Sequence, residues 1–394
     1  MKKIFFLLSA LVLGCLTAIA DTFTVSEVVY ETIDGTTVKV VGSSRSVTST
    51  SSFQVTIPAT VTNPNDSKTY DVTEIAPRAF YNYKYLYRVF FSTPSKLKKI
   101  GDYAFYKVYG YNYSTYDLTI PEGVEEIGKC AFFGLEYNIN YIYLPSTLRV
   151  LGEGAFCGIS YSSFNGFTFS SSNPYFTSLD GSYKYFLCNT SKTTLLAMAA
   201  NRTQSFPYNS NESRYYFDTI APYACAGYAY TSNSLSIPAT IKSIGKYAFA
   251  YSSGNVDLSK ATLITELPEG AFYGSKRNGG IDIGAATNIT SIGDYAFQNC
   301  STTVTTIYLP PPKYNNFSII RRRSLGGDGS SLLLGGLWVL LFCGIRYEKE
   351  HILYREDMLR KSEIASLSNQ NHFTCWVVSN LDKIGASLQH IVTN

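Results

Sequence analysis

The 394-residue chain reads as a repeat solenoid: short coils, each a strand, a turn and an apolar segment, stacked so that their strands form a parallel β-sheet face. Three observations predict this. A hexapeptide recurs eight times, as Ile75–Phe80 (IAPRAF), Ile100–Phe105 (IGDYAF), Ile127–Phe132 (IGKCAF), Leu151–Phe156 (LGEGAF), Ile220–Cys225 (IAPYAC), Ile244–Phe249 (IGKYAF), Leu267–Phe272 (LPEGAF) and Ile292–Phe297 (IGDYAF). Apart from a wide gap between Phe156 and Cys225, the copies follow one another every 23 to 27 residues, outside the periods of helical repeats. Between them a second element returns: VTIPATV at Val55, LTIPEGV at Leu118, IYLPSTL at Ile142, LSIPATI at Leu235 and IYLP at Ile307.

The N-terminus has the make-up of an export signal. Lys2 and Lys3 precede the apolar run Ile4 to Leu16, and Ala18-Ile19-Ala20 offers a small-residue cleavage site before Asp21. The run is short for a membrane span. A second reading takes Val12-Leu13-Gly14-Cys15 as a lipobox, which would lipidate Cys15 and hold the protein at a membrane. The clear Ala-x-Ala site favours the first, so residues 1–20 are read as a signal peptide and the protein as exported, to the cell surface or the medium.

Each coil is justified by its residue types. The second element alternates apolar and small polar residues and then meets Pro, which has no N–H for a ladder, so it reads as one short strand. A unit of this size cannot bury its own apolar face, so coil must cover coil. Gly101, Gly128, Gly152, Gly245 and Gly293 sit where the chain must turn, and some of them are expected at positive φ. The motif alanines allow close approach between coils. Phe80, Phe105, Phe132, Phe156, Phe249, Phe272 and Phe297 form the core, each worth about 1.5 to 3 kcal/mol on burial. Tyrosines that recur in the motif, such as Tyr103, Tyr247 and Tyr295, read mainly as flank packing.

The combined pattern LxIPxxVxxIGxxAF resembles the BspA-type leucine-rich repeat of bacterial surface and secreted proteins. Upstream, FTVSEVVYETIDGTTVKVVG resembles that family's N-terminal cap hairpin, and within the gap FTSLDGSYKYFLCNTSKTTLLAMAAN (Phe176 to Asn201) is similar to its variant unit. The resemblance implies a solenoid of leucine-rich-repeat type with short turns or helical segments opposite the sheet. It places an N-terminal β cap over 21–52 and repeats over 53–312, with the variant unit near 176–205. As function it implies adhesion: binding of host matrix proteins and of other bacteria.

Residues 313–394 read as an anomalous tail. PPKYNNFSIIRRRSLGGDG follows IYLP where a further motif is due, and both tryptophans and all three histidines (His351, His372, His390) fall in this part. Three readings stand: a short membrane segment at Leu332 to Ile345 behind Arg321-Arg322-Arg323; a small helical domain with Ile352, Leu353, Met358, Leu359, Ile364 and Leu367 as its stripe; or a reading-frame slip at Pro310-Pro311-Pro312.

Composition narrows the function classes. Charged residues are 16% of the chain and the net charge is +4, which gives no reason to expect nucleic acid as a partner. The repeat body contains no histidine, which removes His-dependent nucleophile systems and His zinc sites from it. Neither a phosphate-binding glycine loop nor an HExxH motif is present. No cofactor or metal is expected, and Asn63-Pro64-Asn65-Asp66 reads as a turn rather than a calcium loop. The eight cysteines, at 15, 130, 157, 188, 225, 300, 343 and 375, show no CxxC and read as buried thiols used as small hydrophobes. Disulfide pairing is left open.

If the apolar residues of each strand point inward, the residues between them form an outward row: Thr56, Phe90, Thr119, Tyr143, Ser236, Asp257, Asp282 and Tyr308. This row is the candidate ligand-binding face, with its aromatics as anchors. Asp257 and Asp282 occupy the same place in matched coils (VDLSKATLITEL and IDIGAATNITSI) and are expected about one strand spacing apart. Such a pair reads first as solvated carboxylates, then as a cation or glycan site. The function expected is therefore non-catalytic binding of extracellular macromolecules through the sheet face, with a glycan-binding or carbohydrate-active module built on Asp257, Asp282 and the tyrosine row as the alternative. A membrane enters only through a lipid on Cys15 or an anchor in the tail.

Overall fold

A computed structural model describes residues 21–47, 51–108, 115–135, 139–159, 164–179, 181–199, 206–211, 213–229, 234–276, 279–283, 286, 288–300 and the backbone of the strands at 304–308, 319–321, 345–348 and 351–354. Residues 1–20, read above as an export signal, with Cys15, both tryptophans, Cys343, Cys375, His372 and His390 lie outside these residues. So does most of the run Leu332 to Ile345. The chain divides into two compact units, Met1–Thr203 with Thr219–Ala229, and Gln204–Asp218 with Tyr230–Asn394.

Each coil carries two strands rather than one, so each unit has two kinds of parallel sheet. The first is made of strands that run into the proline. In the first unit Phe53–Ile57 pairs with Leu86–Phe91, and Tyr116–Thr119 pairs with Ile139–Leu144, which pairs with Gly166–Phe169, all parallel. We call this the proline sheet. The second is made of the residues that end on the first position of the motif, before its glycine or, in the first copy, Ala76: Thr69–Ile75, Lys99–Ile100, Glu126–Ile127 and Val150–Leu151, again parallel. This glycine sheet continues at its N-terminal end into the antiparallel strands Thr22–Val25, Val28–Thr32 and Thr37–Ser43, the last of them parallel to Thr69–Ile75.

The second strand follows from the motif itself. Its apolar Ile must point inward, and the glycine after it brings successive backbones together. A Cβ at Gly128 would lie 2.6 Å from the Asp102 nitrogen and 2.7 Å from the Gly101 carbonyl carbon, and at Gly152 it would lie 2.3 Å from the Lys129 nitrogen. Gly101 and Gly293 are equally tight against the preceding coil, and none of these four has the positive φ expected of them. These glycines are required by approach, not by conformation.

Positive φ sits two residues later. Arg78, Tyr103, Cys130, Gly154, Tyr223, Tyr247, Gly270 and Tyr295, the residues before the motif alanine, all have φ between +50° and +70°. Ala104 N–H closes a turn onto the Gly101 carbonyl at 3.2 Å, and its third position is where such a turn calls for positive φ. The Ala-Phe segment is thus a chain of turns, and the 3₁₀ turn Gly181–Tyr183 is the one helical element among the described residues. These turns bond coil to coil: the N–H groups of Tyr103, Phe105 and Lys107 donate to the carbonyls of Lys129, Ala131 and Phe133 at 2.7 to 2.8 Å.

Inside, the motif phenylalanines form ladders. Phe80, Phe105, Phe132 and Phe156 stack face to face at 5.1 to 5.2 Å between centroids, and Phe249, Phe272 and Phe297 do so at 5.5 and 5.9 Å in the second unit. All seven are at most 3% exposed. Cys130, Cys157, Cys188 and Cys225 are buried free thiols and Cys300 is a half-buried one, as the absence of a CxxC pattern suggests.

In the gap, Phe176–Ser178, Phe186–Asn189 and Thr194–Met198 form an antiparallel meander, after which Thr219–Ile220 resumes parallel pairing. In the second unit Glu266–Leu267, Ser291–Ile292 and Ile319–Arg321 pair in parallel. The last of these lies beyond the repeat boundary expected at residue 312. His351–Tyr354 then pairs antiparallel with both Ile319–Arg321 and Ile345–Glu348. Ile352 and Leu353 are therefore on a strand and not on the helical stripe read for them. Among the described residues no helix is long and apolar enough to cross a membrane.

Candidate functional site

The proline sheet positions the predicted row. Its inward residues Val55, Val89, Leu118 and Ile142 are buried, which fixes the register and turns the alternate residues outward. Thr56 stands opposite Phe90, Thr119 opposite Tyr143, Ser236 opposite Asp257 and Asp282 opposite Tyr308. The structure thus brings the row together in register, pair by pair within each unit. Phe90 is 38% exposed, and Thr56 and Thr119 are exposed while Tyr143, Ser236 and Asp257 are half-buried. The side chains of Asp282 and Tyr308 lie outside the described residues.

Several members of this face escaped the sequence reading. Thr168 follows Tyr143 in register, but its strand GFTF lacks the terminal proline that marked the others. A second outward column runs beside the first. Gln54 faces Arg88, Tyr141 faces Gly166, and Phe90 packs 6.4 Å from Tyr116. The Arg88 guanidinium lies 5.3 Å from the ring centre of Tyr116 and 6.0 Å from that of Tyr87, and Lys184 Nζ lies 5.8 Å from that of Tyr141. The dipeptides Tyr87-Arg88 and Tyr183-Lys184, an aromatic beside a cation, were the available signal.

The glycine sheet differs in its electrostatics. Lys99 pairs with Glu126 at 2.8 Å, Arg149 with Glu125 at 2.8 Å, Lys98 with Glu125 at 3.6 Å and Lys129 with Glu153 at 3.5 Å. Each pair joins one coil to its neighbour, so the charges of that side neutralise one another. The turns carry a stack of their own: Tyr81, Tyr106 and Phe133 lie 5.1 and 5.3 Å apart. Tyr247 and Tyr273 pack edge to face at 5.6 Å. Tyr103 and Tyr247 belong to this flank packing, as their recurrence suggests.

In the second unit Asp257 lines an open cleft of about 190 Å³ with Ser234, Asn255, Ser259, Ile283 and Ala286. Its Oδ1 accepts the Ser259 N–H at 2.9 Å and its Oδ2 the Ser236 hydroxyl at 3.3 Å. Partial burial works against its charge, but the hydrogen bonds from Ser259 and Ser236 outweigh it and hold the carboxyl below the usual range. Its register partner is Ser236, and that of Asp282 is Tyr308. In the loop at 63–66, Asn63 Oδ1 accepts the Asn65 N–H and Asp66 takes the Lys68 N–H and the Tyr70 hydroxyl. These oxygens are committed to the turn. Among the described residues no group of three or more His, Cys, Asp or Glu is placed to hold a metal ion.

The family described as BspA type leucine rich repeat region, in six copies, matches residues 49–172, 108–194 and 218–323. The chain belongs to the BspA-type leucine-rich-repeat family. The last match runs past residue 312 and takes in the strand Ile319–Arg321. No curated relative matches this BspA-type chain in sequence. Among solved structures it is similar to a leucine rich cell surface protein from Faecalibacterium prausnitzii, at 20% identity over 80% of this chain and 97% of that one, with a TM-score of 0.37. It is also similar to the pneumococcal vaccine antigen PcpA, at 17% over 76% and 83%, with a TM-score of 0.41. A leucine-rich repeat protein from Eubacterium ventriosum gives 17% over 74% and 85%, with a TM-score of 0.39.

Proposed function

We propose that this BspA-type protein is a non-catalytic, exported repeat protein, on the cell surface or secreted, that binds extracellular macromolecules through its proline sheet. Host matrix proteins or the surfaces of other bacteria are the partners. The observation that carries the reading is the outward row in register, with Phe90 exposed and Tyr143 half-buried between threonines on a side where no ion pair is formed among the described residues. Rigid aromatics with hydroxyls between them are the composition of binding surfaces. The family is in general a scaffold without catalysis, and its surface members support the export read from residues 1–20. The antiparallel strands at 22–43 serve as the cap that closes the first coils.

The test is capture of fibronectin and fibrinogen by the immobilised chain, before and after Phe90→Ala with Tyr143→Ala. Both positions point outward, so the variant keeps its melting temperature to within a few degrees. Capture is expected to fall at least tenfold. Unchanged capture would show that another face binds.

A second reading, glycan binding, is favoured by the polar cleft at Asp257. Hydrolysis would further need a carboxyl that stays protonated to supply the leaving sugar's proton, and Asp257, held below its usual range, is not that group. Isothermal titration with soluble glycans, lost in Asp257→Asn while matrix capture is absent, would favour this reading.

A further inference from the structure

The proline sheet of the first unit carries two cations at the ends of one strip. Arg88 stands on Leu86–Phe91 over the ring of Tyr116, whose hydroxyl is buried and whose register partner is the buried Ile139, and Tyr141 and Gly166 face each other on the two strands after that. Lys184 comes next, since its carbonyl accepts the Phe167 N–H at 2.9 Å. A Cβ on Gly166 would come 2.5 Å from Lys184 Cβ, so glycine there lets the Lys184 segment lie against the strand. Lys184 reaches back from that place to the Tyr141 ring.

Both cations are held by rings and not by carboxylates. Among the described residues neither Arg88 nor Lys184 makes an ion pair, whereas the glycine sheet pairs Lys98, Lys99, Lys129 and Arg149 with acids of neighbouring coils. Arg88 Nε is buried and has no hydrogen-bond partner among the described residues. The N–H groups at the far end of the guanidinium are the ones left to meet a carboxylate from outside.

We infer that the strip from Arg88, backed by Tyr116, to Tyr141 and Lys184 is a docking site for an extended acidic segment of a partner protein, with separate carboxylates on Arg88 and Lys184 and the intervening chain over Phe90 and Tyr143. The inference rests on the protein-binding reading above. The backbones of the two cations are four strand spacings apart, roughly 19 Å, but Lys184 reaches back to Tyr141 and Arg88 forward over Tyr116, so about four residues of extended chain join the charges. Asp117 lies between them on Tyr116–Thr119, where its Oδ1 accepts Asn140 Nδ2 at 3.0 Å and the Tyr141 N–H at 3.1 Å. Its charge repels a polyanion with a sulfate on every sugar and tolerates a peptide with neutral residues between two acids.

The probe is a fluorescent peptide of about twelve residues with two Glu about four positions apart among Gly, Ser and Tyr. It is titrated into the full chain by anisotropy, beside its Gln counterpart and fluorescent heparin. The Glu peptide is expected to bind, to weaken at least tenfold in the Arg88→Gln, Lys184→Gln double variant, and to be at least tenfold tighter than the Gln peptide. Heparin binding that is tighter than the Glu peptide and lost in the same variant would overturn the choice of partner. No Glu-peptide binding, or none lost in the variant, would overturn the strip. Matrix capture separates the two readings: if it needs Phe90 and Tyr143 but not Arg88 and Lys184, the sheet face stands and the acidic partner falls.

Discussion

Two residue types of the motif act through different physics, and single substitutions separate them. Phe132 is buried between Phe105 and Phe156 in a ladder of near-parallel rings, so Phe132→Ala opens a cavity and is expected to cost about 3 to 5 kcal/mol. Gly128→Ala adds one methyl group against backbone that cannot rotate away, and about 1 to 3 kcal/mol or more is expected. Chemical denaturation of both variants measures this. A Gly128→Ala protein as stable as the parent would mean that the coils can move apart. The phenylalanine role was legible in the sequence because periodicity reports burial directly. The glycine role was misread because a glycine recurring at a turn suggests positive φ, while close approach is set by the neighbouring coil. The true positive-φ site takes tyrosine, arginine or cysteine as well as glycine, and only Gly154 and Gly270 pointed to it.

At the level of elements, two buried asparagines fasten loops to the coils. Asn173 donates from Nδ2 to the carbonyls of Pro145 and Leu148 at 3.0 and 2.8 Å, and its Oδ1 accepts the N–H groups of Tyr175 and Phe176 at 2.8 and 2.9 Å. It therefore ties the entry of the antiparallel meander to the turn of an earlier coil. Asn173→Ala leaves several buried groups unpaired and is expected to cost roughly 2 to 4 kcal/mol. Hydrogen exchange should show faster exchange at Phe176–Ser178 than at Glu126–Ile127, and equal rates would contradict the assignment. Asn63 does similar work on the loop before Asp66. Both precede proline, a turn signal that sequence shows, but the burial that makes them costly to replace depends on contacts distant in the chain. For the same reason the proline-ended strands and Thr56, Phe90 and Tyr143 were legible, while Arg88 and Lys184 were not. Alternation finds what points outward. It does not find which cation folds back over which ring.

For the molecule as a whole, stability is expected to have an acid and an alkaline limit. Asp34 is held at about 2 by the Thr36 N–H and hydroxyl and by Thr37, and hydrogen bonds also hold Asp66 and Glu27 low. A folded value below the unfolded one gives stability that is present above about pH 4 and lost as the pH falls towards 2. The buried thiols act at the other end. Burial pushes Cys130 and Cys188 up to about 12, and raises Cys157 and Cys225 as well. Their stability is complete below the ordinary thiol range near 8.5 and is lost as the pH climbs through it. Melting temperatures should be level from about pH 5 to 8 and fall on both sides. A melting temperature that holds from pH 8 to 11 would mean that these thiols ionise inside the fold.

The hydrogen bonds between coils run along the direction in which the coils are stacked. A pull that draws one end of a unit away from the other loads those bonds end-on and a rung at a time, instead of shearing many together. Under tension each unit would therefore lengthen stepwise and at modest force, one coil after another.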